Sequence, residues 1–313
     1  MMDKRGQMKT LWMFCSAVVV ASAFVPTGKA AAQDDRYREK FDTTVAMDRG
    51  GTVSISVYSG RVNVLGVSGS QVRVKGWVDR GDFKFDSHAG SVRMDIEPDG
   101  RHGGNADLEI TVPIGTRVQI DGFSAPYTVK GTKGEVKLQT MSGNVEVTDV
   151  VGRAAVETVS GNILAKNIDG DLRAESVSGR LDISDVNGDI EGESISGHIW
   201  IDGAKAKAVK AETVSSSVSY NGTIDPQGTY EFKSNSGRIT LGVPADIGAT
   251  VSLETFNGNV DSDFPVTMGS GTNRMGRDSK FEFKIGNGRA RITLETFSGN
   301  IRIQRGTSRD NQE

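Results

Sequence analysis

A period of 18 residues dominates the middle of the chain. Glycines recur at this spacing, and each follows a serine: Gly143, Gly161, Gly179 and Gly197. A second series has the same period and lies nine residues out of phase: Gly134, Gly152, Gly170 and Gly188. Each unit therefore contains two similar halves. Repetition of this kind is typical of folds in which each repeat contacts only its neighbours.

Aligned repeats show how the side chains alternate. Three apolar columns recur, namely Val145, Ile163, Leu181 and Ile199; Val147, Ala165, Ile183 and Ile201; and Met141, Val159, Val177 and Ile195. Charged residues such as Glu146 and Asp182 lie between the first two columns. Alternation with period two indicates strands with one buried face. The sequence thus predicts an all-β fold, a parallel β-helix (β-solenoid) with about 18 residues per coil. The pattern is the same for a right-handed and a left-handed helix.

Polar residues mark the two turns of each coil. Thr140, Thr158, Ser176 and Ser194 precede one turn, and Asp149, Asn167 and Asp185 lie at the other. Such side chains can bond free backbone groups at corners. We expect the glycines that follow to supply the positive φ that a tight corner often needs.

The repeat also predicts the domain boundaries. Looser copies occur at Thr213–Val218, Ser234–Ile239, Thr255–Val260 and Thr296–Ile301, with an earlier echo at Val57–Val62. We therefore assign 41–305 to one β-helix domain of nine or ten coils, a rod about 45 Å long. Residues 79–107 are interpreted as an irregular N-terminal part with hairpins that close the end. Residues 263–278 are interpreted as a loop insertion, and 306–313 as a disordered tail.

The first 32 residues have the three-part layout of a secretory signal peptide. A basic start with Lys4 and Arg5 precedes an apolar run at 11–25 and a small-residue site at 30–32. The run is shorter than the ~20 residues that span a bilayer, which favours cleavage over the alternative of a signal anchor. A linker at 33–40 would follow. We expect an exported protein, periplasmic, at the cell surface or extracellular, with no membrane span after cleavage.

The charge balance argues against one large class of partners. The chain has 37 basic and 40 acidic residues, and cleavage after Ala32 would leave 33 and 39. A chain with this slight acidic excess is not expected to bind nucleic acid. Cleavage would also remove Cys15, the only cysteine, so we expect neither a disulfide nor thiol chemistry in the mature protein.

The repeated S-G-N/R-V/I turns resemble those of a bacterial family of unknown function called "putative adhesin". The resemblance also includes two Val-Pro segments, at 112–118 and 243–251, and the closing segment Ile292–Ile301. It covers roughly residues 41–305. This resemblance implies a β-helix, an extracytoplasmic or cell-surface setting, and no established catalytic residues.

Motifs for catalysis or for cofactors are not found in the sequence. His88, His102 and His198 are far apart and lack the spacing of metal ligands. The half-repeat Ser142–Val150 lacks the double glycine and the correctly placed aspartate of calcium β-rolls. We therefore expect no cofactor and no metal site, and Asp149 with its equivalents is interpreted as a turn residue.

Candidate contact residues lie in the irregular parts and at one outward position. The insertion contains residue types that are common in contact surfaces, and Trp200 lies between two inward-facing isoleucines. The predicted surface is Phe264, Met268, Arg274, Met275, Arg277 and Trp200.

The function expected from these features is that of a non-catalytic exported protein. It would act as an adhesin-like or envelope-stress-associated binding or scaffold protein, with a cell-envelope or surface component as its partner. Two alternatives remain open. One is a polysaccharide-acting enzyme, since many such enzymes are β-helices. The other is a structural scaffold that associates end to end rather than remaining monomeric.

Overall fold

The computed structural model describes residues 38–88, 90–98, 104–265 and 279–306, and these residues form a β-solenoid. Its strands, in chain order, are β1 (Arg38–Ala46), β2 (Thr52–Val67), β3 (Gln71–Asp79), β4 (Gly81–His88), β5 (Ser91–Pro98), β6 (Asn105–Pro113), β7 (Arg117–Ser124), β8 (Tyr127–Lys130), β9 (Val136–Ser142), β10 (Val145–Val151), β11 (Ala154–Ser160), β12 (Ile163–Asp169), β13 (Leu172–Ser176), β14 (Leu181–Asn187), β15 (Ile190–Ser194), β16 (Ile199–Ala204), β17 (Ala208–Thr213), β18 (Val218–Gly222), β19 (Thr229–Ser234), β20 (Ile239–Val243), β21 (Ala249–Thr255), β22 (Val260–Ser262), β23 (Ser279–Ile285), β24 (Ala290–Thr296) and β25 (Ile301–Arg305). Among the described residues, no helical segment has the length and hydropathy needed to cross a bilayer.

Each coil, also called a rung, contributes one strand to each of two parallel stacks. We call them wall A, which includes β9, β11, β13, β15, β17 and β19, and wall B, which includes β10, β12, β14, β16, β18 and β20. In wall B, Ile163 pairs with Leu181, and Leu181 pairs with Ile199. The predicted parallel fold and its 18-residue register are therefore confirmed.

The coil length changes later in the stack. Ile199 pairs with Val218, and Val218 pairs with Ile239, so these two coils advance by 19 and 21 residues. A register shift between Asp202 and Ala204 accompanies the first change. The inward positions are kept in spite of these changes, since Val218, Tyr220, Ile239 and Leu241 are at most 2% exposed.

The core is a continuous column of side chains between the two walls. Val145, Ile163 and Leu181 are at most 1% exposed, as the inward columns predict. Aromatic rings fill later rungs, where the ring centroids of Tyr220 and Phe232 lie 5.2 Å apart. Because each coil is thin, its stability depends on contacts with the coils on both sides.

In the hydroxyl column that precedes one turn, Thr140, Ser176 and Ser194 bond backbone groups as predicted, whereas Thr158 Oγ1 has no partner among the described residues. The predicted role of some glycines is corrected. Ser176 Oγ accepts a hydrogen bond of 2.8 Å from the backbone N–H of Gly179. Gly179 does not have a positive φ. Glycine is needed there because an added Cβ would overlap the carbonyl oxygen of Gly161 in the coil below. At the other turn, Asp149 and its equivalent Asn167 themselves have positive φ, 57° and 54°, and Asn167 Nδ2 donates to Asp149 Oδ1 at 2.7 Å.

The order of the rungs departs from the chain order at both ends of the stack. At the N-terminal end, β2 spans both walls and lies between the β5 and β6 rung and the β7 and β8 rung. At the C-terminal end, β24 lies between β19 and β21, and β25 lies between β20 and β22. The rungs therefore follow the chain order in the central coils but not at the two ends of the stack.

Antiparallel strands cover parts of both ends. At the N-terminal end, β4 pairs with β5, β3 pairs with β6, and β1 pairs with β3. The rings of Phe41 and Phe83 stack there with centroids 4.1 Å apart. At the C-terminal end, β23 pairs antiparallel with β21. These strands satisfy backbone groups that a terminal rung would otherwise leave free.

Some of the predicted domain boundaries fall on described residues, and others fall outside them. β1 begins at Arg38, so the last three residues of the predicted linker are in a strand. The predicted signal peptide and residues 266–278 and 307–313 lie outside the described residues.

Deletion of one complete repeat tests the coil length. Removing Gly161–Ser178 joins Ser160 to Gly179 and restores the serine-glycine turn. Because β14 then takes the place of β12 and β15 that of β13, every column is preserved. We expect a shorter but folded protein with one cooperative thermal transition by circular dichroism.

A second deletion provides the control. Removing Gly161–Asn187 joins one strand of wall A directly to another strand of wall A, β11 to β15. This variant should lose cooperativity. Equal behaviour of the two deletions would contradict the 18-residue coil.

Candidate binding groove

A groove runs along the outside of wall A, with a volume of about 1050 Å³. Its lining begins near Ile96 and Pro98 at the N-terminal end and extends to Phe297 at the C-terminal end. It therefore crosses most of the rungs rather than belonging to one loop.

Three consecutive residues of each coil form the groove, as one coil illustrates. Glu175 points outwards, Ser176 is only 5% exposed, and Val177 is 39% exposed. The serine is held inwards by its hydrogen bond with the backbone of Gly179. Because the chain turns inwards at this residue, the side chains on either side of it form the two rims.

One rim is apolar. We call it the apolar ladder, and its members are between 39% and 55% exposed: Tyr58, Phe123, Met141, Val159, Val177, Ile195, Val214 and Phe297, which line the groove, and Phe256, which stacks on Phe297 beyond it. Asn235 takes the place between Val214 and Phe297. The third apolar column of the sequence is thus an exposed surface and not part of the core.

Aromatic pairs terminate the apolar ladder. The rings of Tyr58 and Phe123 stack with centroids 4.8 Å apart at one end. Those of Phe256 and Phe297 stack at the same distance at the other end. This distance is the separation of neighbouring strands, so the stacks follow directly from parallel pairing between rungs.

The opposite rim is acidic. We call it the carboxylate ladder, and it consists of Asp121, Glu157, Glu175, Glu193, Glu212 and Glu295. The strand register places these residues in one column, together with Gln139 and Lys233. The groove therefore separates an apolar rim from an acidic rim along nearly its whole length.

Basic residues of wall A partly neutralise the carboxylates. Lys210 Nζ lies 2.6 Å from Glu193 Oε1, 3.4 Å from Glu191 Oε1 and 3.7 Å from Glu212 Oε2. These contacts raise the pKa of Lys210, and the hydrogen bond from Lys210 lowers the pKa of Glu193. One lysine is thus shared among three carboxylates.

The negative charges of two carboxylates beside this cluster are less well neutralised by nearby cations. Glu157 Oε2 accepts a hydrogen bond of 2.7 Å from the neutral amide of Gln139. Glu175 contacts Arg173, but burial and the charges of Glu157 and Glu193 raise its pKa above the usual value. This part of the rim retains an unfavourable excess of negative charge.

The predicted contact residues do not meet at this groove. Trp200 lies on wall B and is 53% exposed, with its ring centroid 6.3 Å from that of His198. Phe264 is only 4% exposed and lies below the guanidinium group of Arg305, so its assignment as a contact residue is wrong. Met268, Arg274, Met275 and Arg277 lie outside the described residues.

The described residues also contain no group of three or more His, Cys, Asp or Glu side chains placed to hold a metal ion.

Solved structures with low sequence identity match much of the chain. A "putative adhesin" from Bacteroides fragilis is 11% identical, with 85% of this chain and 97% of that chain covered and a TM-score of 0.40. A "putative cell adhesion protein" from Clostridium sporogenes is also 11% identical, with 85% and 100% covered and a TM-score of 0.24. A "putative lipid binding protein" from Parabacteroides distasonis is 9% identical, with 86% and 98% covered and a TM-score of 0.29.

No curated protein matches the sequence. A family does match its C-terminal part, which holds the later rungs and the rearranged end of the stack. Residues 189–304 match the model of Toastrack DUF4097. This segment is similar to the Toastrack DUF4097 family, and the predicted family resemblance is confirmed.

Proposed function

We propose that this protein is a non-catalytic, exported binding protein of the bacterial cell envelope, and that its groove holds an elongated partner. The apolar ladder is the observation that carries the proposal. Nine large apolar side chains, each at least 39% exposed, follow one line that only Asn235 interrupts. Extended apolar surfaces of this kind in soluble proteins are typical of interaction sites.

The geometry favours an elongated partner over a compact one. The members of the ladder follow one another at about 4.8 Å, the spacing of the strands. Seven of them, from Tyr58 to Val214, offer an unbroken apolar strip and not an enclosed cavity. A partner would gain about 25 cal/mol for each Å² of apolar surface removed from water, so affinity would grow with the length of contact.

The remaining parts of the proposal have separate support. The layout of residues 1–32 supports export. The carboxylates of the groove lie on one rim and are shared among basic side chains. Glycoside hydrolases instead need two carboxylates that flank the bond to be cleaved, so the arrangement supports binding rather than catalysis. End-to-end continuation of the parallel stack is less favoured, because the antiparallel strands β4 and β23 cover β5 and β21.

Substitution of the apolar ladder tests the proposal. We expect the variant Val159→Ser/Val177→Ser/Ile195→Ser to be retained on sedimented bacterial envelope fragments about tenfold less than the unchanged protein, because three apolar contacts are lost. These residues are exposed, so the melting temperature should change little.

Leu164→Ser is the matched control. Leu164 is an aliphatic residue of wall B that is 38% exposed, close to Val177 in exposure but outside the groove. Its substitution should leave retention unchanged. If the triple variant were retained as well as the control, the groove would not be the binding site.

A further inference from the structure

The charge of the groove points to the chemistry of its partner. Resting on the proposed function, we infer that the groove binds a basic amphipathic polypeptide segment that lies along the stack. Its apolar side chains would pack on the apolar ladder, and its lysine or arginine side chains would approach the carboxylate ladder.

The outward side chains of wall A carry a clear imbalance of charge. From β11 to β19 they include six carboxylates, Glu157, Glu175, Glu191, Glu193, Glu212 and Glu231, and three cations, Arg173, Lys210 and Lys233. The protein thus supplies one cation for every two carboxylates along this stretch. Additional cations would be favourable here, because each existing one is already shared.

The position of the cations directs the excess charge towards the groove. Lys210 and Arg173 belong to the next outward column of wall A, and neither of them lines the groove. Glu157, Glu175, Glu193 and Glu212 do line it. From Glu157 to Glu212 the carboxylates therefore lie between these two basic side chains and the apolar ladder. Lys233 is the cation of this stretch that itself lines the groove. A ligand in the groove meets an acidic rim first.

This order of side chains selects among amphiphiles. A basic amphipathic segment places apolar groups and cations on opposite edges of its contact face, as the two rims require. An anionic amphiphile, such as a fatty acid, would bring its own charge against the carboxylates, which is unfavourable. A neutral glycan would leave most of the apolar ladder uncovered.

The repeat distances are compatible with a polypeptide. A helix rises 5.4 Å per turn, close to the ~4.8 Å between rungs. The five central members of the apolar ladder, from Met141 to Val214, extend over four rung spacings, or about 19 Å. This length corresponds to three or four turns of helix. A segment of about 13 residues would therefore cover the aliphatic centre.

Three synthetic peptides of equal length test the inference by titration calorimetry. The first has leucine on one helical face and lysine elsewhere, the second has glutamate in place of lysine, and the third has glutamine. We expect the Leu/Lys peptide to bind at least tenfold more tightly than the Leu/Glu peptide, with the Leu/Gln peptide between them. The preference should shrink at high ionic strength, because salt screens exposed charges.

Variants of the two rims separate their contributions. Glu157→Gln/Glu175→Gln should weaken the Leu/Lys peptide about fivefold and leave the Leu/Gln peptide unchanged, since exposed pairs are each worth at most ~1 kcal/mol. Val159→Ser/Val177→Ser should weaken both peptides. Leu164→Ser on wall B should weaken neither.

The outcomes distinguish this inference from the proposed function. If the Leu/Glu peptide bound as tightly as the Leu/Lys peptide, the basic partner would be excluded. If substitution of the apolar ladder still reduced retention on envelope fragments, the groove would remain a binding site, but for a partner of different chemistry. If neither peptide binding nor envelope retention responded to substitution of the apolar ladder, both proposals would be overturned.

Discussion

Ile163→Asp is expected to prevent the solenoid from folding. Ile163 is fully buried between Val145 and Leu181, its partners in the neighbouring rungs. Truncation of a buried isoleucine to alanine costs about 2–5 kcal/mol. Aspartate adds the cost of an unpaired charge in an apolar interior, several kcal/mol more. The sum approaches the total stability of a typical domain, roughly 5–15 kcal/mol.

The adjacent residues provide controls for this substitution. Leu164→Asp places the same side chain one residue further on, where the native leucine is 38% exposed. Asn162→Asp changes a turn residue whose Oδ1 accepts a bond of 2.9 Å from the N–H of Arg180, a role that a carboxylate can also fill. Asn162→Asp should melt close to the unchanged protein. Leu164→Asp should lose at most about 1 kcal/mol, because its carboxylate lies between Glu146 and Asp182 of the neighbouring strands but remains in water. Equal melting temperatures for Ile163→Asp and Leu164→Asp would contradict the assignment of inward and outward faces.

The central coils could be predicted because two independent regularities agree there. Alternation with period two determines which side chains are buried, and the 18-residue period determines which residues pair. Val145, Ile163 and Leu181 satisfy both conditions and pair as predicted. Local and long-range preferences point to the same structure in this part of the chain.

The groove was harder to predict because hydropathy and alternation disagree at its rim. Alternation along β11 places Thr158 inwards and Val159 outwards, and hydropathy alone suggests the reverse. The structure follows alternation, with exposures of 5% and 41%. The sequence contained the signal for an exposed apolar column, because the hydroxyl column next to it was already expected to bond the backbone of the turns.

Phe264 shows the limit of composition as a guide to function. An aromatic residue beside a glycine-rich stretch suggested a contact loop. Ser262 Oγ instead accepts a hydrogen bond from the N–H of Phe264 at 3.2 Å, and the ring is buried. Burial of a single ring depends on long-range packing, which neither the repeat nor local propensity specifies.

The order of rungs at the ends could not be predicted from motifs. The turns at 257–259 and 298–300 have the similar sequences Asn-Gly-Asn and Ser-Gly-Asn. Either one is suitable as the neighbour of the preceding coil. One of these two rungs must lie between the preceding coil and the other rung. Which one does so is a property of the complete stack rather than of either segment.

This order makes the C-terminus unusually important for stability. Termination after Gly288 removes β24 and β25, which are the last of the described strands but are bonded on both sides within the stack. Five fully buried core side chains are lost: the four large ones Ile292, Leu294, Ile301 and Ile303, and Ala290. At about 1.5–3 kcal/mol for each large buried aliphatic side chain, the loss is on the order of 6–12 kcal/mol.

We therefore expect this truncation to lower the melting temperature by more than ~10 °C or to prevent folding, as measured by circular dichroism. The rung formed by β21 and β22 would lose its parallel neighbours β24 and β25. Termination after Gly306 is the control, because it removes only the polar tail and leaves β25 intact. If rungs followed the order of the sequence, the longer truncation would remove a terminal rung and the rest of the stack would melt almost unchanged. That result would contradict the inserted position of β24 and β25.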